Sequence, residues 1–308
     1  MFSKLFNKTT PSEWGLVINW GFHRKNKWVA AVTPYLVNAI VAEFNPVIIS
    51  NQRLYDRHKH QIRYLLSVEP GWAAPRLNYD TNVKCRKAVF YSDPHYNTAE
   101  RWEFFSKNQF DYVFSYYKGP FFYHFKGFPK KQFVHLPWAV PDQFIGDHPL
   151  KVKGGKVAIF GSKDSDAYDM RNWCRKQEGV RNFSHGGVEN KEMTDDGYFK
   201  WLSTIDCIIA AGSTRPEYGM VTPKYFEIAS AGALLFAHDC DDLKTIGFDE
   251  YNALIFKDKK QFNQLLNQYI SDPSIFLPIR YAGRELISQK HKVSDRIHKI
   301  KEVMYGFK

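Results

Sequence analysis

Short apolar runs alternate with stretches of helical spacing along most of the chain. "GLVINW" (Gly15–Trp20), "PVIIS" (Pro46–Ser50), "YLLSV" (Tyr64–Val68), "RKAVFYS" (Arg86–Ser92) and "DYVFSYY" (Asp111–Tyr117) are rich in β-branched and aromatic residues and apolar on both faces. That is the pattern of strands covered on both sides. Between them, helices are predicted from Thr33-Pro34 to Phe44, over Asn51–Arg63, over Asn97–Lys107 and near Pro120–Phe125, with "GFHRKNK" (Gly21–Lys27) as a loop and "QFVHLP" as a sixth strand. The pattern lapses in "PWAVPDQFIGDHPLKVKGGK", whose Pro and Gly content marks a linker with its boundary near Gly146–Gly155. It then restarts. Strands "KVAIFG", "DCIIAA", "ALLFA" and "ALIF" alternate with helices at Tyr168–Lys176, Gly197–Thr204, from Thr222, and at Lys259–Ile270, before two closing helices. The last is amphipathic through Val293, Ile297, Ile300 and Met304. Such alternation predicts two successive α/β units, residues 1–145 and 146–308, each a parallel sheet wrapped by helices.

Composition fits this picture. The 308 residues are 44% hydrophobic and 24% charged, and no run approaches the ~18–20 apolar residues of a membrane helix. The N-terminal stretch lacks the apolar centre of a signal peptide, so neither secretion nor integral membrane association is expected. Cys85, Cys174, Cys207 and Cys240 show no Cys-x-x-Cys spacing and read as reduced thiols of a cytoplasmic protein. The net charge of +11 is uneven: residues 1–150 hold 19 Lys and Arg against 11 Asp and Glu, and residues 151–308 hold 24 against 21. An anionic partner should therefore meet the first half. Arg53, Arg57, His58, Lys59, His60 and Arg63 share one predicted helical segment, with Tyr55 and Tyr64 interleaved. This reads first as a solvated basic face, and second as a place for a DNA or anionic glycan acceptor.

Several segments carry candidate chemistry. In "TPKYFEIASAGALLF", Thr222 and Pro223 read as N-cap and first helical residue, Gly232 as the stop, and Glu227 as a lone carboxylate near the positive end of the helix. "IFGSKDSDAYDMR" follows a strand; Gly161 permits close backbone approach to a phosphate, and Ser162 and Lys163 can bond or neutralise it. His185–Gly187 in "HGGVENKEM" form a second glycine-rich loop, equally readable as a turn. In "YSDPHYN", His95 and Asp93 suit a general-base pair and, equally, an Asx-turn ahead of a helix. After the first strand, Gly21 and Arg24 are offered to phosphates, and Glu69 in "SVEPGW" ends another strand, where an acceptor hydroxyl can bind. No metal-binding spacing stands out.

Taken together, "PKYFEIASAGALLF", "YNALIF", "YAGRELISQKHKVSDRIHKI" and "FDYVFS…HLPWAVPDQF" resemble the spore-maturation-type and related group-1 glycosyltransferases. The resemblance covers roughly Lys87 to the C-terminus, by pattern. It implies the GT-B architecture: two Rossmann-like doubly wound domains facing a cleft, with the last helix packing back on the first domain. It implies a nucleotide-sugar donor (UDP-, GDP- or ADP-linked) in the second domain, a glycan or other acceptor in the first, no cofactor and no metal, with a leaning toward retention. By resemblance, Glu227 accepts hydrogen bonds from the ribose hydroxyls. Gly219 to Lys224 face the diphosphate, and Arg171 matches an Arg one helical turn beyond the Gly-Ser pair. One departure is visible. The family's sugar-contacting Glu falls at Gly219 here, and the nearest acid is Glu217. A catalytically inactive nucleotide- or nucleic-acid-binding protein of the same fold is the alternative.

Overall fold

The computed structural model describes residues 12–163, 165–183 and 192–306. Its first sheet holds β1 (Trp14–Val17), β2 (Val47–Ile49), β3 (Tyr64–Val68), β4 (Arg86–Tyr91), β5 (Tyr112–Ser115) and β6 (Phe133–His135) in the order β2-β1-β3-β4-β5-β6. Its second holds β7 (Val157–Ile159), β8 (Val180–Asn182), β9 (Cys207–Ala210), β10 (Leu234–His238) and β11 (Leu254–Phe256) in the order β11-β10-β9-β7-β8. All strand pairs within these sheets are parallel. This is a doubly wound α/β fold built twice. In each sheet the chain winds outward from its first strand and then crosses to the other side. The reversal leaves a crevice beyond the carboxyl ends of β1 and β3, and another beyond β7 and β9.

The helices follow from their apolar spacing. Helix α2 (Thr33–Phe44) has Pro34 in its first turn and buries Leu36, Val37, Ile40 and Phe44. Asn45, at φ 44°, ends it in the left-handed region. The segment Gly21–Lys27, expected as a loop, begins inside a short helix, α1 (Trp20–Arg24), because Asn19 caps it by accepting from the Phe22 amide at 3.1 Å. The first strand is correspondingly shorter than its apolar run: the amides of Ile18 and Asn19 already turn to the carbonyls of Ile49 and Ala73. Strand β8 is absent from the expected pattern, since an edge strand carrying the exposed Arg181 and Asn182 shows no apolar alternation.

The two sheets are joined by more than the linker. Helix α12 (Val293–Tyr305) buries Val293, Ile297, Ile300 and Met304, as spaced, and returns to the first sheet. There Lys301 pairs with Glu43 at 2.6 Å, and the Trp14 indole donates to the Tyr305 hydroxyl at 3.1 Å. Buried Arg296 donates to the carbonyls of Pro137 and Trp138. The start of helix α5 (Gly119–His124) meets the second unit, where the Asp242 carboxylate, in the helix after β10, accepts from the amides of Lys118 and Gly119 at 2.8 Å each. One apolar cluster runs through both units, with Phe144 stacked on Phe199 at 4.4 Å.

Candidate active site

A cavity of about 610 Å³ opens between the carboxyl ends of the two sheets and is lined from both. Its volume lies in the ~300–1,000 Å³ range of small-molecule sites.

The wall from the second unit is built around helix α8 (Pro223–Ser230) and the loop after β7. Glu227 is buried and accepts a 2.8 Å hydrogen bond from the hydroxyl of Tyr198, on helix α7 (Asp195–Ser203). Burial pushes its carboxyl up to about 7, against the pull of Tyr198 and of the Lys224 charge. Lys224 lies over the Phe160 ring, 4.6 Å from its centre, and donates to the Phe160 carbonyl at 3.3 Å. Gly161, at φ +106°, is required here: a Cβ would overlap the Lys224 ammonium. Arg171 is buried, with its Nε on the Ala211 carbonyl at 2.7 Å and its Nη1 on the Ser162 carbonyl at 3.1 Å. It thus ties the loop after β7 to the end of β9. Thr222 has the extended backbone of an N-cap, but its side chain does not cap the helix as expected. Its hydroxyl is buried, lines the cavity and has no hydrogen-bond partner among the described residues.

The wall from the first unit is aromatic and acidic. Trp28 and Trp72 meet edge to face at 5.6 Å, and Trp72 is 48% exposed beside Val29 and Tyr96. Glu69, at the end of β3, is buried against Ser92 and Arg101 and lines the cavity with Asp93. Burial pushes the Glu69 carboxyl up to about 8, and Asp93 adds to this, while the Arg101 charge and Ser92 oppose it.

Of the residues singled out in the sequence for chemistry, Glu69, Asp93, Ser162, Arg171, Lys224 and Glu227 meet in this cavity. The others do not line it. His95 packs against the rings of Tyr218 and His124, and burial there lowers its pKa. The Asp-Pro turn sends Asp93 and Tyr96 to the cavity and His95 away from it. Gly21 sits inside α1, and Arg24 is exposed at that helix's end. Lys163 is exposed. Glu217 lies in a 3₁₀ turn and pairs with Arg215 at 2.6 Å, and Gly219 closes that turn onto Pro216. The loop His185–Gly187 lies outside the described residues. The basic helix α3 (Gln52–His58) also lies off the cavity, and neighbouring Lys59 is paired with Asp80 at 2.9 Å. Among the described residues no group of three or more His, Cys, Asp or Glu is placed to hold a metal ion, and no helix is long and apolar enough to cross a membrane. Tyr198, the Thr222 hydroxyl and the Trp28–Trp72 pair were not legible as site residues; only Glu69 carried a signal, its place at a strand's end.

Comparison with known proteins gives a consistent picture. A family model described as glycosyl transferase-like matches residues 147–302. Anabaena HepE, solved with UDP-glucose, is similar over 96% of this chain and 99% of its own at 10% identity, with a TM-score of 0.62. An α1,3-fucosyltransferase is similar over 100% and 94% at 12% identity, with a TM-score of 0.57. Staphylococcus aureus TarM, in a complex with UDP and a GlcNAc-glycerol, has a TM-score of 0.53 at 12% identity over 78% of this chain. This chain spans only 55% of that TarM chain. No curated protein sequence matches.

Proposed function

This chain belongs to the glycosyl transferase-like family, and we propose that its cavity moves a sugar from a nucleotide-sugar donor to an acceptor hydroxyl. The donor lies on the side of residues 146–308 and the acceptor on the side of residues 1–145. One observation carries the reading: Glu227, buried and facing the cavity beside Tyr198 and Lys224. An ionised carboxylate accepts from two vicinal hydroxyls at once, as a ribose presents them. Lys224, the Ser162 loop and the unpartnered Thr222 hydroxyl lie where the diphosphate follows, supplying charge and donors without a metal. Similar folds crystallised with UDP or UDP-glucose support a nucleoside diphosphate sugar as the class of donor. Opposite, exposed Trp72 and Tyr96 offer flat apolar faces to the C–H surfaces of a glycan acceptor. In one stereochemical course, implied by the likeness to group-1 enzymes, a phosphate oxygen takes the acceptor proton and configuration is retained. In the other, a side chain takes it and configuration inverts.

The test is to incubate the protein with UDP-, GDP- and ADP-sugars and measure nucleotide release, with and without a chelator. One donor is expected to be turned over, and the rate to survive chelation. Glu227→Ala should weaken that donor's binding by ~10- to 100-fold in calorimetry, the loss of hydrogen bonds to a charged group. Tight binding with no release under any condition would favour the inactive relative instead. Unchanged affinity in the variant would remove Glu227 from the site.

A further inference from the structure

From the geometry of the first unit we infer that Glu69 is the general base that takes the proton from the acceptor hydroxyl. This rests on the donor reading above and assigns the acceptor side of the same cavity. Glu69 sits at the carboxyl end of β3, beside the reversal of strand order where α/β sheets place ligands. Its φ of 52° lies in the left-handed region, a strained setting for a residue other than Gly, Asn or Asp. The strain is held by bonds on both sides of the residue. The Glu69 amide donates to the Phe90 carbonyl at 2.9 Å, and its carbonyl receives the amides of Trp72, Ala73 and Ala74 at 2.9–3.1 Å. Backbone strain fixed by so many partners directs one side chain to one place, and here that side chain is a carboxylate lining a shared cavity.

Its surroundings suit proton transfer. Ser92 bonds the carboxyl, and Arg101, itself pinned by the Asp93 carbonyl and the Tyr91 ring at 4.1 Å, supplies a nearby positive charge. Asp93 from the loop after β4, Tyr91 from β4 and Tyr116 just beyond β5 are the other titratable groups around it among the described residues. Burial holds the carboxyl proton up to about pH 8, near the ideal for a base working close to neutrality. His95, the base expected from the sequence, does not line the cavity. In the step, the acceptor oxygen forms a bond to the donor's anomeric carbon as its proton passes to Glu69. The bond from that carbon to the phosphate oxygen breaks, and the nucleoside diphosphate leaves with the electron pair. A single displacement of this kind inverts configuration.

Water serves as the probe acceptor, with whichever nucleotide sugar the panel identifies. Glu69→Gln should lower nucleotide release ~10²–10⁴-fold, with donor affinity within twofold of wild type. Wild-type rate should rise through about pH 8, and the variant's profile should be flat. Azide needs no deprotonation and should restore release in the variant as glycosyl azide, a rescue that a structural role would not allow. Early NMR spectra of the freed sugar should show the inverted anomer. A variant within threefold of wild type, an unrescued loss, or a retained anomer overturns the assignment. Absence of donor binding by both proteins overturns the donor reading itself, which distinguishes the two failures.

Discussion

Glu69 and Glu227 are carboxylates kept in places where their charge is disfavoured, and the cost has a definite sign with pH. Folding raises the Glu69 carboxyl from 4.5 to about 8, so the folded state binds that proton more tightly than the unfolded chain. The resulting stability is fully present below about pH 4.5 and is lost as pH rises through 8. Glu69→Gln should therefore melt higher than wild type at pH 9, with the gain shrinking at pH 5. Thermal melts at the two values check it, and equal melting temperatures at pH 9 would contradict the burial argument. Glu227, raised to about 7, follows the same sign over a narrower window. Gly161 makes the complementary point with backbone. Gly161→Ala forces an L side chain to φ +106° and displaces the Lys224 ammonium. It should cost about 1 kcal/mol or more in stability, and donor affinity should fall with it in calorimetry.

At the scale of elements, helix ends do much of the positioning. Helix α8 carries Lys224 and Glu227 on successive turns, so one helix presents both a cation and a carboxylate to the cavity. Helix α5 is closed by a residue from the other unit: Asp242 accepts its first two amides, and burial raises that carboxyl while the amides hold it down. Asp242→Ala should leave these amides without their partner and cost roughly 1–3 kcal/mol, seen as a lower urea midpoint with unchanged slope. An unchanged midpoint would mean that water replaces the carboxylate freely. Helix α12 is held by burial instead. Ile300 is fully buried, and its replacement by Ala belongs to the class of core truncations that costs about 2–5 kcal/mol.

In the whole molecule, the site is divided between two walls that meet only because the sheets face each other. Contacts between the units are polar at several points, such as the Tyr35 hydroxyl on Asp195 at 2.8 Å. Asp195 opens the helix that carries Tyr198, so a shift between units reaches the partner of Glu227 directly. Donor binding is accordingly expected to draw the units together about the segment Pro137–Gly155. Small-angle scattering with the donor identified above should show a smaller radius of gyration than without it. No change on saturation would mean that the cavity is already closed.

Apart from α1 and β8, the alternation of strands and helices was readable because periodicity is a local property, set by which faces each segment must bury. Glu227 was readable as a carboxylate on its helix for the same reason, whereas Lys224 was singled out only through the resemblance to group-1 enzymes. Asn19 capping α1 is also local, but the run of polar and basic residues around Gly21 concealed it. The tertiary structure alone decided which strand ends face one cavity. His95 and Asp93 are two residues apart, yet one turn sends Asp93 to the cavity and His95 against Tyr218. Glu69 and Glu227 are far apart in sequence and meet across the cavity because both sheets reverse strand order at their first strand and present those ends to each other. Strand order and the facing of the units are set by non-local burial, which no window of the sequence contains.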